Sequence, residues 1–188
     1  MTELRGPRVL LRPTRAEDLP AILRWQNDPD VAWRMDYDRR FTVEDIAESE
    51  ARAREEGHPF VVEVDGRPIG RVGLNGFRER DRICSLYAFL GEADVAGRHL
   101  GREAILVLLG WAFATFDLHL VELWGLAENE RALHTYAACG FVREATLRDR
   151  SRWSDGTIHD RVVMSVSRGE YDAARAAFDA AREADPRP

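Results

Sequence analysis

The segment at residues 95–104 reads Val-Ala-Gly-Arg-His-Leu-Gly-Arg-Glu-Ala and stands just before a strongly apolar run. Small residues such as Gly97 and Gly101 let a backbone approach a ligand closely. The first turn of a helix directs free N–H groups and the positive end of its dipole at that ligand. Three side chains add donors, those of Arg98, His99 and Arg102. The pattern favours an anion such as a pyrophosphate, and a plain glycine-eased turn is the alternative.

Several other chemistries are excluded by the residues present. The segment matches neither G-x-x-x-x-G-K-[ST] nor G-x-G-x-x-G, so the two common nucleotide-binding motifs are absent. All 27 basic residues are arginine, which leaves no lysine for a Schiff base or a phosphate loop. The two cysteines, Cys84 and Cys139, are too few for a disulfide framework. Neither C-x-x-C nor H-E-x-x-H occurs, so we expect no dedicated metal site.

A second pattern lies about thirty residues further along the chain, Asn129-x-x-Ala132-x-x-x-Tyr136-x-x-x-Gly140. Helical spacing puts Asn129 at an N-cap and places Ala132, Tyr136 and Gly140 on one face. Each position also has a purely structural reading, as a cap, a core aromatic or a helix-ending glycine. Their coincidence behind an anion-binding turn favours a functional reading.

Length and charge narrow the class of protein. The chain has 188 residues, and its 27 basic and 33 acidic residues give a net charge of −6. One domain is expected at this length, and no basic patch indicates a nucleic-acid partner. The start, Met1-Thr-Glu-Leu-Arg, lacks the apolar region of a signal peptide, and the apolar run at 104–116 is too short to span a bilayer. We therefore expect a cytoplasmic protein with no membrane partner.

The first half of the chain predicts a strand, two helices and a three-stranded meander. The strand lies at 8–12, and Thr14-Arg-Ala-Glu17 predicts a capping box for a helix that continues to about residue 26. Asn27-Asp-Pro29 breaks that helix, and Thr42 caps another that ends near Gly57. The three strands are predicted at 60–64, 68–74 and 82–90, the first two joined by a tight hairpin at 65–67.

The second half predicts helices alternating with strands. The helix after residue 101 has one apolar face, formed by Ile105, Leu108, Leu109, Ala112, Phe113 and Phe116. An apolar strand at 120–125, a helix at 129–139 and two strands at 141–147 and 159–166 follow. From residue 169 onward a helix carries Tyr171, Ala174 and Phe178 on one stripe. We expect it to dock or to dimerise, with a frayed end at 185–188.

This order of elements predicts an α/β (α+β) fold with a mixed sheet. We expect residues 1–168 to form one domain and residues 169–188 a helical extension. The oligomeric state left open is monomer or homodimer.

Taken together, these residues and the element order resemble the GNAT superfamily of acyl-CoA-dependent N-acetyltransferases, from Val9 to about Tyr171. Residues 89–92 and 96–104 resemble its pyrophosphate loop, commonly R-G-x-G-x-G-x-E-A, and residues 129–141 resemble its second motif. Residues 141–148 with Asp155-Gly156 and His159-Asp160 are similar to the RimJ/RimL branch of ribosomal-protein N-terminal acetyltransferases. Residues 25–29 and Met35 are also similar to acetyltransferases of nucleotide-linked amino sugars.

The resemblance implies a central, strongly twisted mixed sheet flanked by helices, with acetyl-CoA as co-substrate and no metal. A primary amine then attacks the thioester directly, Tyr136 is the general acid, and a backbone N–H near Phe89 or Leu90 stabilises the oxyanion. The absence of G-x-S-x-G agrees with direct attack, and Cys139 falls at a helix end. The implied acetyl-CoA contacts are Ala88, Phe89, Leu90, Ala96, Gly97, Arg98, His99, Leu100, Gly101, Arg102, Asn129, Ala132 and Tyr136.

Two positions depart from the family pattern. Ala96 stands where the family usually has Arg or Gln, and His99 replaces the first glycine of the G-x-G pair in the loop. They motivate an alternative function, a catalytically degenerate protein that binds acyl-CoA as a regulator. The retained Tyr136 favours the enzyme, because a pure binder needs no acid at the thiol.

The fraction of an amine that is neutral at pH 7 constrains which amine is favoured as the acceptor. A lysine-like amine with a pKa of about 10.4 is neutral in ~1 part in 2,500 at pH 7, and an α-amine with a pKa of about 8 in ~10%. No residue is marked as the general base, the candidates being Asp36, His99, His134 and His159. A peptide N-terminus or an amino sugar is therefore favoured over an unactivated polyamine or lysine side chain, and an antibiotic or other small amine stays open.

Charge in one segment bears on the same question. Residues 28–56 contain ten acidic residues and five arginines. The excess could attract a cationic acceptor, or it could form a solvated helix face.

Overall fold

The computed structural model describes residues 2–184, and the predicted frayed end at 185–188 lies outside them. Across the described residues one eight-stranded sheet has the order β1-β2-β3-β4-β5-β6-β8-β7. All neighbouring strands are antiparallel except β5 and β6, which are parallel. The strands are β1 (Leu4–Arg5), β2 (Leu10–Arg12), β3 (His58–Val64), β4 (Arg67–Arg78), β5 (Ile83–Leu90), β6 (Leu120–Leu126), β7 (Val142–Arg152) and β8 (Ile158–Ser167).

Helices cover both faces of this mixed sheet. One face, called the α3 face below, is covered by α1 (Leu19–Gln26), α2 (Pro29–Arg34) and α3 (Val43–Glu56). The other, the α4 face, is covered by α4 (Leu100–Thr115), α5 (Glu130–Ala138) and α6 (Arg168–Ala184). The predicted α/β class, mixed sheet and C-terminal helix are confirmed.

Two apolar clusters hold the layers together. The larger lies on the α4 face, where buried residues of α4 such as Leu106 and Leu109 pack against β2 to β6 and β8. The smaller lies on the α3 face, where Ile22, Trp25 and Ile46 pack against Phe89 of β5. Strand β5 therefore contributes to both clusters through alternate side chains, as a central strand must.

Local sequence signals explain most element ends. Asp65 and Gly66 both have positive φ, at 51° and 78°, which is the geometry of a two-residue hairpin between β3 and β4. Thr42 accepts from the Asp45 N–H at 3.2 Å, and Asp45 accepts from the Thr42 N–H, so the predicted cap of α3 is present. Gly140 ends α5 with φ of 96°.

The predicted capping box at Thr14 is wrong. A 3-10 turn at Ala16–Asp18 precedes α1, and the Arg15 N–H donates to Asp18 at 2.7 Å. Asp18 is buried because it also pairs with Arg12 at 2.6 Å and 2.9 Å. The Thr14 hydroxyl has no hydrogen-bond partner within residues 2–184. A tertiary ion pair thus decides the local structure here.

Two short elements went unpredicted. Strand β1 has only two residues and is defined by its pairing with β2. The preceding helix ends at Gln26, as expected from Asn27-Asp-Pro29, but a new helix α2 begins at Pro29. Asp28 caps it by accepting from the N–H groups of Asp30 and Val31. Proline fits the first helical position since no intrahelical N–H bond is required there.

Helix α6 belongs to the same packed unit as the rest of the chain. Tyr171 and Phe178 are buried in the larger cluster, and Arg168 donates to the carbonyl of Phe113 in α4. The described part of the chain is a single domain. No helix within residues 2–184 is long and apolar enough to cross a membrane.

Candidate active site

Strands β5 and β6 pair only at their beginnings. Ile83, Cys84 and Ser85 are the partners of Leu120, Val121 and Glu122. Beyond these pairs β5 follows β4 to Leu90, and β6 follows β8 to Leu126, so the two strands separate. The space between residues 86–90 and 123–126 is called the cleft below. Ligands of α/β sheets bind outside the carboxyl ends of parallel strands, which is where this cleft lies.

The β5 side of the cleft offers free backbone groups. The Gly91 N–H donates to the Ile69 carbonyl at 2.9 Å, which fixes the hydrogen-bond phase of β5 on β4. In an antiparallel pair alternate residues bond to the partner strand. The backbone groups of Phe89 therefore point toward β4, and those of Ala88 and Leu90 point into the cleft. Of the two residues expected to supply an oxyanion N–H, Leu90 has the suitable orientation.

A bend between β5 and α4 lies at the open end of the cleft. Ala96, Gly97, Arg98 and His99 are all exposed in it. Gly97 has φ of 79° and His99 has φ of 58°, so both are left-handed. Histidine is among the residues that tolerate this region, at roughly 1–2 kcal/mol. His99 thus keeps a conformation that glycine readily adopts, although the side chain differs from the family pattern.

The first turn of α4 presents free N–H groups at this bend. The Glu103 N–H donates to the His99 carbonyl at 3.1 Å, and no side chain of residues 2–184 caps the helix. The N–H groups of Leu100, Gly101 and Arg102 precede that bond and have no intrahelical acceptor. The positive end of the α4 dipole adds to them, so the bend favours an anion.

Small residues keep the bend open. A methyl group added at Gly97 would meet nothing within 4 Å, and one added at Gly101 would lie 3.6 Å from the Leu90 side chain. Gly101 therefore stands at the β5 edge of the cleft with room beside it. Residues 96–99 are exposed, so the bend is open to solvent beside Gly97.

Glu103 fixes the bend to the turn between β1 and β2. Its buried carboxylate accepts from the N–H groups of Arg8 and Val9 at 2.6 Å and 3.1 Å, and from Arg8 Nε at 2.8 Å. Arg8 in turn donates to the Arg98 carbonyl at 3.1 Å. This network orients the bend before any ligand arrives.

The basic side chains of the bend are not equivalent. Arg98 is exposed and points away from the packed core. The guanidinium of Arg102 lies over the Phe178 ring at 5.2 Å, on α6. Arg102 therefore offers the bend its backbone N–H, while its side chain packs between helices.

The second motif forms α5 as its spacing predicts. Asn129 caps the helix by accepting from the Ala132 N–H at 3.3 Å, so that N–H is already used. Cys139 lies at the end of α5, where its thiol is 3.7 Å from the Arg102 carbonyl. Helix α5 is thereby held against the first turn of α4.

Tyr136 lies against the β6 side of the cleft. A methyl group added at Gly125 of β6 would be 3.8 Å from its ring. Burial raises the pKa of Tyr136 to about 12. The phenol is therefore protonated at neutral pH and is a hydrogen-bond donor beside the cleft. Leu90 and the bend thus lie on the β5 side of the cleft and Tyr136 on the β6 side, whereas Phe89 packs on Trp25 of the α3 face.

The four base candidates differ in their surroundings. Asp36 accepts hydrogen bonds from Ser151, Trp153 and Arg161. Burial tends to raise the pKa of the Asp36 carboxyl, but these bonds outweigh burial and hold that pKa below its usual value. His159 contacts Glu128 and Thr157, both at 3.1 Å. His99 and His134 are exposed. None of the four is positioned at the cleft by a hydrogen bond that marks it as the base.

Sequence reasoning missed a group of side chains on the α3 face. Glu50 of α3 and Arg71 of β4 form a buried ion pair. Tyr87 and Trp124 lie beside the cleft, and Trp124 is 44% exposed. Trp124 was hidden because a continuous apolar strand predicts coverage of both faces. Glu50 had a detectable signal, since it follows Ile46 by four residues on the buried stripe of α3.

A small cavity adjoins this group between α3 and the sheet. Its volume is about 150 Å³. It is lined by Ser49, Arg52, Ala53, Glu56, Leu74, Asn75 and Tyr87. Since Tyr87 precedes Ala88 on β5, the cavity reaches the strand that borders the cleft. No group of three or more His, Cys, Asp and Glu side chains within residues 2–184 is arranged to hold a metal ion.

The geometry agrees with the comparison to known families. The family model of the acetyltransferase (GNAT) domain matches residues 8–142, which is well over half of the chain. A spermidine N(1)-acetyltransferase of Escherichia coli K12 is 25% identical over 166 residues, covering 87% of this chain and 88% of that protein.

Solved structures have the same fold. A spermidine N-acetyltransferase from Vibrio cholerae, in complex with CoA and spermine, matches with a TM-score of 0.79 and 23% identity, covering 87% of this chain and 98% of that one. Mycobacterium smegmatis RimJ, in complex with CoA-disulfide, matches with a TM-score of 0.79 and 24% identity, covering 96% and 94%. The chain is therefore as similar to the spermidine N-acetyltransferase structure as it is to the RimJ structure.

Proposed function

Since this chain belongs to the acetyltransferase (GNAT) family and uses acetyl-CoA as co-substrate, we propose that it acetylates a primary amine, which attacks the thioester directly. One observation carries the proposal. The free N–H groups of the first turn of α4 adjoin the unpaired edge of β5 at Gly101 and Leu90, and the Tyr136 ring lies by Gly125 of β6. Anion binding, a strand edge and a proton donor are what an acyl-CoA thioester requires of its site.

Most contacts to acetyl-CoA in this proposal come from the backbone. The N–H groups of residues 100–102 bind the pyrophosphate, with Arg98 as a solvent-side charge. The cleft-facing backbone of Ala88 and Leu90 pairs with the amides of the pantetheine arm. Ala96 lowers affinity little, because it removes a side chain and leaves the N–H groups in place. Acetyl-CoA supplies the activated acetyl group.

The chemistry needs three roles from the chain. The amine nitrogen bonds to the carbonyl carbon, and the carbon–sulfur bond breaks. The Leu90 N–H donates to the carbonyl oxygen while it is negative. Tyr136 donates to the departing sulfur, and the amine proton leaves to solvent or to a base at the acceptor side. No covalent enzyme intermediate is involved, since both cysteines are buried and burial raises the pKa of each to about 12.

We assign the acceptor first to the α-amine of a peptide N-terminus, as in the RimJ/RimL branch. Support comes from motif similarity at residues 141–148 and 155–160 and from the neutral fraction of an α-amine, ~10% at pH 7. Because this fraction is already neutral, the site needs no strong general base to deprotonate the amine. The cytoplasmic location stays a prediction from the sequence.

A polyamine is the second candidate. It is favoured by the names of two relatives, which are spermidine acetyltransferases, and by the acidic excess at residues 28–56. A much smaller fraction of a polyamine's amino groups is neutral at pH 7. A site specific for polyamines must offset this by deprotonating the bound amine.

The proposal is tested by free-thiol release from acetyl-CoA with a panel of amines: a short peptide with a free N-terminus, its N-acetylated copy, an amino sugar and spermidine. We expect release with the free peptide and none with the acetylated copy. Release only with the amino sugar, or only with spermidine, would identify that amine as the acceptor in place of the peptide N-terminus.

Binding without turnover is the alternative outcome. Isothermal titration with acetyl-CoA on the same preparation separates the cases. Tight binding with no thiol release for any amine would identify a regulatory acyl-CoA binder and overturn the enzyme.

A further inference from the structure

Two aromatic side chains flank the mouth of the cleft on the α3 face. Ser85 and Glu122 are the last paired residues of β5 and β6, and their side chains meet at 3.3 Å. Tyr87 and Trp124 follow these two by two residues each, so they project from the same face. The Tyr87 ring lies over Gly73, where an added methyl group would be 2.5 Å from its hydroxyl. An acceptor that enters from this face passes Trp124 on the β6 side, while the Tyr87 ring lies toward β4.

The carboxylates nearest this mouth are already matched by arginine. Glu122 accepts two bonds from Arg78, at 3.0 Å and 2.8 Å. Asp36 accepts from Arg161 at 2.5 Å.

The third such pair is Glu50 with Arg71, both buried. Arg161 also places its guanidinium 3.8 Å from the centre of the Trp124 ring, so one face of that ring is already occupied by a cation. The mouth is therefore charge-compensated, although the surrounding segment is acidic in composition.

The adjoining cavity limits the size of the acceptor body. Its volume of about 150 Å³ is that of a cavity that holds a benzene ring. Ala53 and the Tyr87 ring supply apolar wall, and Arg52 and Glu56 supply one charge of each sign at the rim. A compact neutral group fits there, and at the mouth itself Glu122, Asp36 and Glu50 are each paired with an arginine, so a second ammonium finds no unmatched acid among these three.

From this charge pairing we infer that the acceptor is a monoamine with a compact, neutral, apolar or aromatic body, and that a second ammonium group is rejected. The inference rests on the proposed function and deepens it, because it names the class of amine. It separates this chain from the relatives named for spermidine. The same chemistry exists in a free small amine and in a peptide whose first side chain is apolar.

Matched substrates test the inference in the wild-type enzyme. Butylamine and 1,4-diaminobutane have the same carbon chain and differ by one ammonium group. We expect kcat/KM for butylamine to exceed that for the diamine by at least tenfold, and 2-phenylethylamine to equal or exceed butylamine. Equal values, or a preference for the diamine or spermidine, would overturn the inference. Absence of thiol release with every amine would instead refute the proposed function.

A charge variant tests the physical cause. Arg78→Gln removes the partner of Glu122 and leaves an unmatched acid near Trp124. We expect the ratio of butylamine to diamine kcat/KM to fall at least threefold. Arg80→Gln is the control, since it removes the same charge from the nearby β4–β5 turn at a side chain that is 96% exposed. An unchanged ratio in Arg78→Gln, or the same fall in both variants, would contradict the charge-pairing argument.

The two sources of a monoamine are separated by comparing 2-phenylethylamine with a tetrapeptide that begins with phenylalanine. Higher kcat/KM for the peptide identifies a peptide N-terminus, and higher kcat/KM for the free amine identifies a small molecule. Either preference supports the inference, provided that a peptide beginning with 2,4-diaminobutyric acid is a poorer substrate than one beginning with norvaline. The reverse order would overturn it.

Discussion

The raised pKa of Tyr136 determines how this side chain would take part in the proposed reaction. Its pKa of about 12 lies above that of an ordinary thiol, about 8.5. Full transfer of its proton to a free thiolate is therefore uphill. In the proposed reaction its main contribution is a hydrogen bond to the sulfur as negative charge develops there, and the hydroxyl assists a leaving group that is already fair.

Replacement of the hydroxyl should thus slow turnover without abolishing it. For Tyr136→Phe we expect kcat to fall about tenfold to hundredfold, at or below the low end of general acid catalysis. Acetyl-CoA affinity stays within twofold. Steady-state thiol release and isothermal titration measure the two quantities. Tyr171→Phe is the control, because its hydroxyl lies by Gly110 on α4 and away from the cleft. Equal kcat in Tyr136→Phe and wild type would remove Tyr136 from the mechanism.

The raised pKa of Tyr136 also predicts a pH dependence of stability. In the unfolded chain the phenol loses its proton near pH 10, and in the folded chain it does so near pH 12. The contribution to stability is complete below pH 10 and is lost as the pH rises toward and through 12. Urea unfolding at pH 9, 10 and 11 should show a steeper loss in wild type than in Tyr136→Phe. Parallel losses would mean that the phenol is not buried.

The positions of single residues could be predicted from the sequence where all of them lie in one helix or strand. Asn129, Tyr136 and Gly140 could be placed because helical spacing alone relates them. The pairs Glu50–Arg71 and Asp36–Arg161 could not be placed, since their members lie far apart in the chain and meet only through the sheet. The sequence left two positions, Phe89 and Leu90, for the proposed oxyanion N–H, and the choice of Leu90 needed the hydrogen-bond phase of β5.

Among the elements, the separation of β5 from β6 creates the cleft. Each strand could be predicted from its apolar run, but the point of separation depends on register and on the outer partners β4 and β8. Helix α2 and strand β1 were missed for related reasons, since both are defined by contacts or caps rather than by periodicity.

The pairing of β4 with β5 requires a glycine opposite Tyr87. In Gly73→Ala the new methyl group would fall within 2.6 Å of the Tyr87 ring, so the ring must move. We expect a loss of about 1–3 kcal/mol in the free energy of unfolding and a higher KM for the amine. Urea unfolding and steady-state kinetics measure these.

Gly169→Ala is the matched control for this substitution, because nothing lies within 4 Å of its added methyl group. If Gly73→Ala were as stable and as active as Gly169→Ala, Tyr87 would have no fixed place at the mouth of the cleft.

At the scale of the whole molecule, α6 completes the core behind the site. Phe178 is 5% exposed, and the Arg102 guanidinium lies over its ring, so α6 supports the first turn of α4. The order of elements and their apolar stripes made the overall fold predictable. The way in which α6 joins the core was not, because a stripe of Tyr171, Ala174 and Phe178 suits docking and dimerisation equally.

Truncation of Phe178 tests this support. We expect Phe178→Ala to lower the free energy of unfolding by about 2–4 kcal/mol and the melting temperature by several degrees. Phe178→Leu keeps most of the volume and is expected to lose less than about 1.5 kcal/mol. Chemical unfolding of the three proteins provides the comparison. A loss near zero in Phe178→Ala would mean that α6 does not pack on the core in solution.

The central claim is that the bend before α4 and the cleft beside it bind acetyl-CoA, and isothermal titration of acetyl-CoA into Gly101 variants tests it most directly. Gly101→Ala places its methyl group at an ordinary contact distance from Leu90, whereas Gly101→Phe fills the β5 edge of the cleft. We predict that wild type and Gly101→Ala bind acetyl-CoA with similar affinity, and that Gly101→Phe binds at least tenfold more weakly while remaining folded. Wild type that does not bind acetyl-CoA, or Gly101→Phe that binds it as tightly as wild type, would contradict the account.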